Sequence, residues 1–326
     1  MRRQLEELRA QVAEANPGLY RALALYLQVL REVLPGAVER AVFQLATRFH
    51  PQRYCELPED HRSRLHVRSA ALVRQTTSLL TVEQLSRLAG ELAIGSQRRQ
   101  RELLHQLSRS PAEPPSLDAP EPEGSVRLDF EPPVDLGWST LASMGAVPPA
   151  EPFPMEAALD SLDDPAELPG VEAPPPWDSP QLPLDPEALL VWLEGYERAL
   201  VRRLRNLSHG LNVELLRSGL TRSLLPLSLL EAAGRGQVEP MTAPPNLLRL
   251  ELPVSLPSGG QLESVALLVR PADLEVEHPR LRTCRAPLQR YRQESRRMAE
   301  LHRRQQRRRL ALEAERLWHQ DNPRYR

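Results

Sequence analysis

The densest collection of residues able to bind a metal or activate a nucleophile runs from His50 to His66. It reads His50-Pro51-Gln52-Arg53-Tyr54-Cys55-Glu56, then Glu59-Asp60-His61, then His66. Imidazole, thiolate and carboxylate are the donors of a zinc centre, but zinc motifs bring them in closely spaced pairs. His61 and His66 stand five residues apart, off any shared helical face. No neighbour is placed to activate the Cys55 thiol. The expectation is a solvated loop between helices, with no metal ligand, cofactor-binding residue or catalytic residue. Gly234-Arg235-Gly236-Gln237 has the glycines of a phosphate loop but lacks the glycine–lysine pair, and a helix-stop glycine accounts for it better. No GxSxG, HExxH or paired-carboxylate motif occurs. A non-enzymatic protein without cofactors is expected.

Chemistry of a different kind is concentrated near the C-terminus. Between Arg280 and Arg309 there are 12 Arg against Glu294 and Glu300, a net charge of +10. Arg296, Arg297, Arg303, Arg304, Arg307, Arg308 and Arg309 are the candidate contacts. Guanidinium groups suit a phosphate backbone and clamp carboxylates in bidentate fashion. A solvated basic face, or one neutralised by the chain's own acids, accounts for the same residues. No aromatic side chains interleave the arginines as base-stacking platforms. All 42 basic residues of the chain are Arg, and Ile94 is the only Ile. A GC-rich coding sequence explains both biases, so abundance of Arg alone does not signal function.

Charge divides the 326 residues into three zones. Residues 1–109 carry 17 Arg and 11 acids, net +6; residues 110–183 carry 15 acids and Arg127, net −14; residues 184–326 carry 24 Arg and 17 acids, net +7. The middle zone also holds 18 of the 33 prolines. Such a segment cannot bury enough apolar surface to offset chain entropy, so 110–183 is expected to be a disordered acidic linker. Two apolar islands interrupt it, one around Trp138 and Leu141, the other with Met155, Leu159 and Leu162 on one side of two helical turns. Both are candidate docking motifs that fold on binding.

The elements that must position these residues are mainly helical. Leu5, Leu8 and Val12 open a first helix. Asn16-Pro17 reads as the cap of a second, with Leu23, Leu27, Leu30 and Leu34 on its apolar face, and Pro35-Gly36 as its break. A third runs through Val38, Val42, Leu45 and Phe49 to His50-Pro51. Leu65, Ala71, Leu72 and Leu79 mark a fourth. Thr81-Val82-Glu83-Gln84 resembles a capping box before Leu85, Leu88 and Leu92, and Leu103, Leu104 and Leu107 mark a last helix. The expectation for 1–109 is a small orthogonal bundle of five or six short helices.

For 184–326 the expectation is a helix–hairpin–helix domain. Asp185-Pro186-Glu187 starts a helix with Leu189, Leu193, Tyr196, Leu200, Leu204 and Leu207 inward and Arg198, Arg202 and Arg205 turned away. A shorter helix from Ser223-Leu224-Leu225-Pro226 stops at Gly234. Leu248, Leu250, Leu252 and Val254 then alternate as a strand, Pro257-Ser258-Gly259-Gly260 turns, and Val265, Leu267 and Val269 return. Pro253 points to an edge position for the first strand. The last helix, about 281–319, carries a worn heptad of Leu281, Cys284, Leu288, Tyr291, Met298, Leu301 and Leu312, interrupted by Ser295, Gln305 and Arg308, with about two clean heptads of a coiled coil.

The stretch from Val269-Arg270-Pro271-Ala272-Asp273-Leu274-Glu275 through Ala311-Leu312-Glu313-Ala314-Glu315-Arg316-Leu317-Trp318 resembles the C-terminal region of uncharacterised cyanobacterial proteins, over the last quarter of the chain. That resemblance implies no function. Two cysteines, Cys55 and Cys284, exclude a disulfide framework. The start Met1-Arg2-Arg3-Gln4-Leu5 lacks the apolar stretch of a secretory signal, and no run reaches the ~18 apolar residues of a membrane span. A cytoplasmic scaffold or adaptor is expected, with two folded ends on a tether that dock protein partners or self-associate through the C-terminal helix or hairpin edge, without a membrane. The alternative is nucleic-acid binding through 280–309.

Overall fold

The computed structural model describes residues 2–109, 181–234, 236–238, 241–252 and 262–321. The islands at Trp138 and Leu141 and at Met155, Leu159 and Leu162 lie outside the described residues, as do Pro253 and the turn at 257–260. The fold is mainly α with one antiparallel hairpin. In chain order the elements are α1 (Arg2–Gln44), a π turn (Leu45–Phe49), α2 (Pro51–Glu56), α3 (Glu59–Ser78), α4 (Val82–Arg109), α5 (Pro186–Ser218), α6 (Leu227–Gly234), β1 (Leu247–Leu252), β2 (Leu262–Leu267), α7 (Pro271–Glu277) and α8 (Pro279–Asp321).

The first three helices expected from the sequence are one. α1 runs through both Pro17 and Pro35 without a break. An interior proline removes one hydrogen bond and crowds the preceding turn, at about 3 kcal/mol. Both rings lie on the exposed side of α1, where carbonyls freed from the ladder reach water. The opposite side is a continuous buried stripe from Val12 through Leu19, Leu23, Tyr26, Leu30, Leu34 and Val38 to Leu45. Burial of each such side chain is worth about 1.5–3 kcal/mol, so the summed stripe outweighs two missing bonds. Asn16 is no cap. Its amide donates to the backbone carbonyls of Leu182 (3.4 Å) and Pro183 (3.1 Å) and ties the approach to α5 onto α1.

The bundle is not closed within residues 1–109. α1 and α8 run antiparallel, with Arg40 by Glu277 of α7 (3.5 Å) just before α8 begins, Glu32 by Arg280 (3.5 Å) next, and Tyr26 under the Arg285 guanidinium (5.8 Å) further along. Gly18 lets Tyr291 of α8 close in: a Cβ there would collide with the phenol oxygen. α5 packs against α3, α4 and α8, and Trp192 donates its indole N–H to Ser86 Oγ (3.1 Å). One apolar core takes in Leu27 and Leu30 of α1, Val73 of α3, Leu85 of α4, Leu200 and Leu204 of α5, and Leu281 and Leu288 of α8. Where the sequence suggested separately folding units at 1–109 and 184–326, the described residues within 2–109 and 181–321 belong to one compact unit. The reason is geometric: the buried faces of α1 and α5 are covered by helices of the other half, α1 by α8 and α5 by α3 and α4.

β1 and β2 pair in register, Leu247 with Leu267 through Leu252 with Leu262. One face, with Leu248, Leu250, Ala266 and Leu268, packs on Leu225, Leu230 and Ala233 of the α6 region. Leu247, Leu267 and Val269 turn toward α5. A lone hairpin is marginal in water, and here side chains replace the missing strands. Asn212 of α5 donates its amide to Leu267 O (2.9 Å) and accepts from Leu267 N (2.8 Å), while Ser208 Oγ accepts from Val269 N (2.8 Å). Met241 bridges to Arg249 on the β1 side. Each strand thus has one of its outward positions paired, Arg249 of β1 by Met241 and Leu267 of β2 by Asn212.

Candidate functional site

The His50–His66 stretch is helical rather than a loop. Pro51 starts α2, and His61 and His66 both lie on α3. The two imidazoles do not converge: His66 Nε2 lies 3.1 Å from Tyr54 Oη, and His61 Nδ1 lies 3.4 Å from the Ser218 carbonyl. Cys55 is exposed. Among the described residues, no group of three or more His, Cys, Asp or Glu is placed to hold a metal ion. A shallow cleft of about 110 Å³ beside His61 is lined by Arg64, Arg68, Glu214 and Arg217. Glu214 on its wall pairs with both Arg68 (3.3 Å) and Arg217 (2.9 Å). At the glycine motif, Gly236 takes a left-handed conformation (φ 71°), with Gly236 N–H on Ala233 O (3.1 Å) and Gln237 N–H on Ala232 O (2.8 Å). That is the hydrogen-bond pattern of a helix stop.

The Arg-rich helix divides into inward and outward sets. Arg285 and Arg292 turn in, and both reach Glu197 of α5, at 2.9 and 2.6 Å. Arg285 also lies 3.8 Å from Glu275, which accepts the Tyr26 hydroxyl at 2.7 Å. Burial, reinforced by the Glu275 charge, pushes the Tyr26 phenol above its ordinary range. Burial does the same to Tyr196, which stacks on Trp192, against the opposing pull of Arg285. These groups are a structural clamp between α1, α5, α7 and α8. On α5, Arg205 is buried beside Glu231 rather than turned away. Its stripe position had looked polar because charge hides burial when a partner waits on the next helix.

The outward set is the one singled out from sequence. Arg296, Arg297, Arg303, Arg304, Arg307, Arg308 and Arg309 are all exposed, and only Arg303 has a carboxylate near it among the described residues, Glu187 at 4.0 Å. At 3.6 residues per turn, Arg296, Arg303 and Arg307 form one row and Arg297, Arg304 and Arg308 a second beside it. The two rows cover the solvent side of α8 over about 16 Å of rise.

His302 escaped the sequence reading. It is buried at 1% exposure, with Nδ1 3.0 Å from Glu187 and Nε2 3.4 Å from Asp185. Asp185 also caps α5, accepting from Glu187 N (3.1 Å) and Ala188 N (3.2 Å). The signal was present: Leu281, Leu288, Ser295 and His302 recur every seven residues, and all four are buried. Ser295 had looked like an interruption of the heptad, and His302 was not read as part of it. Leu301 and Leu312, assigned inward from sequence, are instead about half exposed.

Beyond Gln306 every described residue of α8 is exposed. This end therefore projects past the body, and it carries Leu310 (57%), Leu312 (51%), Leu317 (52%) and Trp318 (68%). Leu103 and Leu104 near the end of α4 are similarly exposed. No described helix is long and apolar enough to cross a membrane.

The fold is mainly helical with one hairpin, and the arginines singled out from the sequence lie on an outer face of α8. No family model, curated protein or solved structure matches the chain.

Proposed function

We propose that this is a non-enzymatic interaction protein, a scaffold or adaptor that docks a macromolecular partner through the projecting end of α8. The observation that carries it is the exposure of Leu310, Leu317 and Trp318 on a helix that has left the core. Soluble chains tolerate scattered apolar residues at the surface, but a continuous apolar stripe marks an interface. Trp and Leu on one helix face suit helix-in-groove or helix–helix docking. The test is parallel affinity capture with the full chain and with a Leu310→Asp/Leu317→Asp variant. A partner, or a second copy, retained by the first and lost by the second is expected. Identical capture by both, or none by either together with a monomeric chain, overturns the proposal.

A second reading, nucleic-acid binding, is favoured by the two rows of guanidinium groups on α8 between Arg296 and Arg308. It expects full-length protein to retard duplex DNA or RNA with a steep loss of affinity as salt rises. Reversing charge at Arg304 and Arg308 should abolish the shift, and unchanged mobility of the nucleic acid at low salt eliminates this reading.

A further inference from the structure

The projecting end of α8 carries a stripe that is complementary to itself when reversed. Arg307, Leu310, Ala314, Leu317, Trp318 and Asp321 follow three- and four-residue steps along one side of the helix, and all are exposed. A cation stands at one end, an acid at the other, and apolar side chains between. We infer that the docking partner is a second copy of this chain, bound through antiparallel pairing of the two projecting ends about a two-fold axis at Ala314. This rests on the reading of that end as a docking surface, and it names the occupant.

With the axis at Ala314, residues equally far before and after it meet across the pair. Arg307 faces Asp321 of the second copy, and Leu310 faces its Trp318. Both contacts occur twice, as a two-fold interface requires. A parallel pairing would set Arg307 on Arg307 and Asp321 on Asp321, so charge selects the antiparallel direction. Ala314, small and central, permits the ~8–10 Å approach of packed helices. The overlap is confined to 307–321, and the last side chain of α8 that is buried in the body is His302. In the antiparallel pair the two bodies lie at opposite ends of the paired segment. An unsupported helical segment of about 15 residues is marginal in water, and the pairing supplies the apolar cover that this one lacks.

The experiment is sedimentation velocity on the full chain from about 1 to 100 µM, with circular dichroism to verify helix content. Every substitution is at an exposed position outside the core. Wild type is expected to pass from monomer to dimer within that range. Leu317→Asp should shift the midpoint at least tenfold, and Asp321→Arg should weaken it by placing Arg on Arg. Combining Asp321→Arg with Arg307→Asp should restore the wild-type midpoint, because the swapped charges meet again. A wild-type chain that stays monomeric throughout overturns the inference, and if it still captures another macromolecule the docking proposal survives alone. A dimer indifferent to Leu317→Asp lies elsewhere on the molecule and equally overturns it. Failure of the charge swap to restore affinity overturns the antiparallel register.

Discussion

Burial decides the behaviour of single side chains here more than charge does. Tyr196 is 2% exposed, and its hydroxyl has no hydrogen-bond partner among the described residues. The folded chain holds that proton, and the Tyr26 proton, more tightly than the unfolded chain does, because both phenol values are raised. The stability they contribute is therefore complete below the ordinary phenol value of about 10 and is lost as pH rises above it. Tyr196→Phe removes a titrating group without removing a bond. Urea midpoints are expected to match wild type within about 1 kcal/mol at pH 7 and to fall less than wild type between pH 10 and 11. An equal alkaline decline in both would show that Tyr196 burial is not its cause. His302 makes the same point in reverse. Two carboxylates at the start of α5 explain how an imidazole sits at a core position, and no feature of α8 alone announces them.

At the scale of elements, apolar periodicity was legible and punctuation was not. The stripes of α1 and α5, the Asp185 cap, the hairpin and the stop before Gly236 are where the spacing placed them. The errors came from Pro17, Pro35 and Gly36, local helix breakers that lost to a long buried face. Pro35 is exposed, and its ring occupies the place of a donor that would close onto Arg31 O. Pro35→Ala should restore that bond and raise unfolding free energy by about 1–3 kcal/mol. Chemical denaturation would read this directly, and a destabilised variant would mean that the proline sets a bend on which the α1–α8 contact depends. The clamp of Asn212 on Leu267 was illegible for a different reason. It joins a helix residue to a strand 55 positions later, and no local pattern encodes such a pair. The candidate surface was legible in type, since the Arg rows of α8 were visible as composition. Which arginines face outward depended on Glu197 and Glu275, whose positions only the packing supplies.

At the scale of the whole molecule, one shared core takes in described residues from both 2–109 and 181–321. Leu27, Leu30 and Leu85 on one side of residues 113–174, and Leu200, Leu204 and Leu288 on the other, belong to the same buried cluster. Each half contributes buried side chains to the cover of the other. The opposite charges of the surface pairs Glu32–Arg280 and Arg68–Glu214 also cross between the halves, although exposed pairs of this kind contribute at most about 1 kcal/mol each. Hydrophobic burial must therefore dominate the association. It follows that an engineered protease site within 113–174, once cut, should leave two fragments that co-elute as one species in native buffer. They should remain together in high salt, which weakens ion pairs but not apolar contacts, and separate in urea as the helical signal is lost. Fragments that part at neutral pH without denaturant while each retains its helicity would show that each half covers its own stripe. The buried contacts of α1 with α8 and of α4 with α5 would then contribute too little to hold the fold closed.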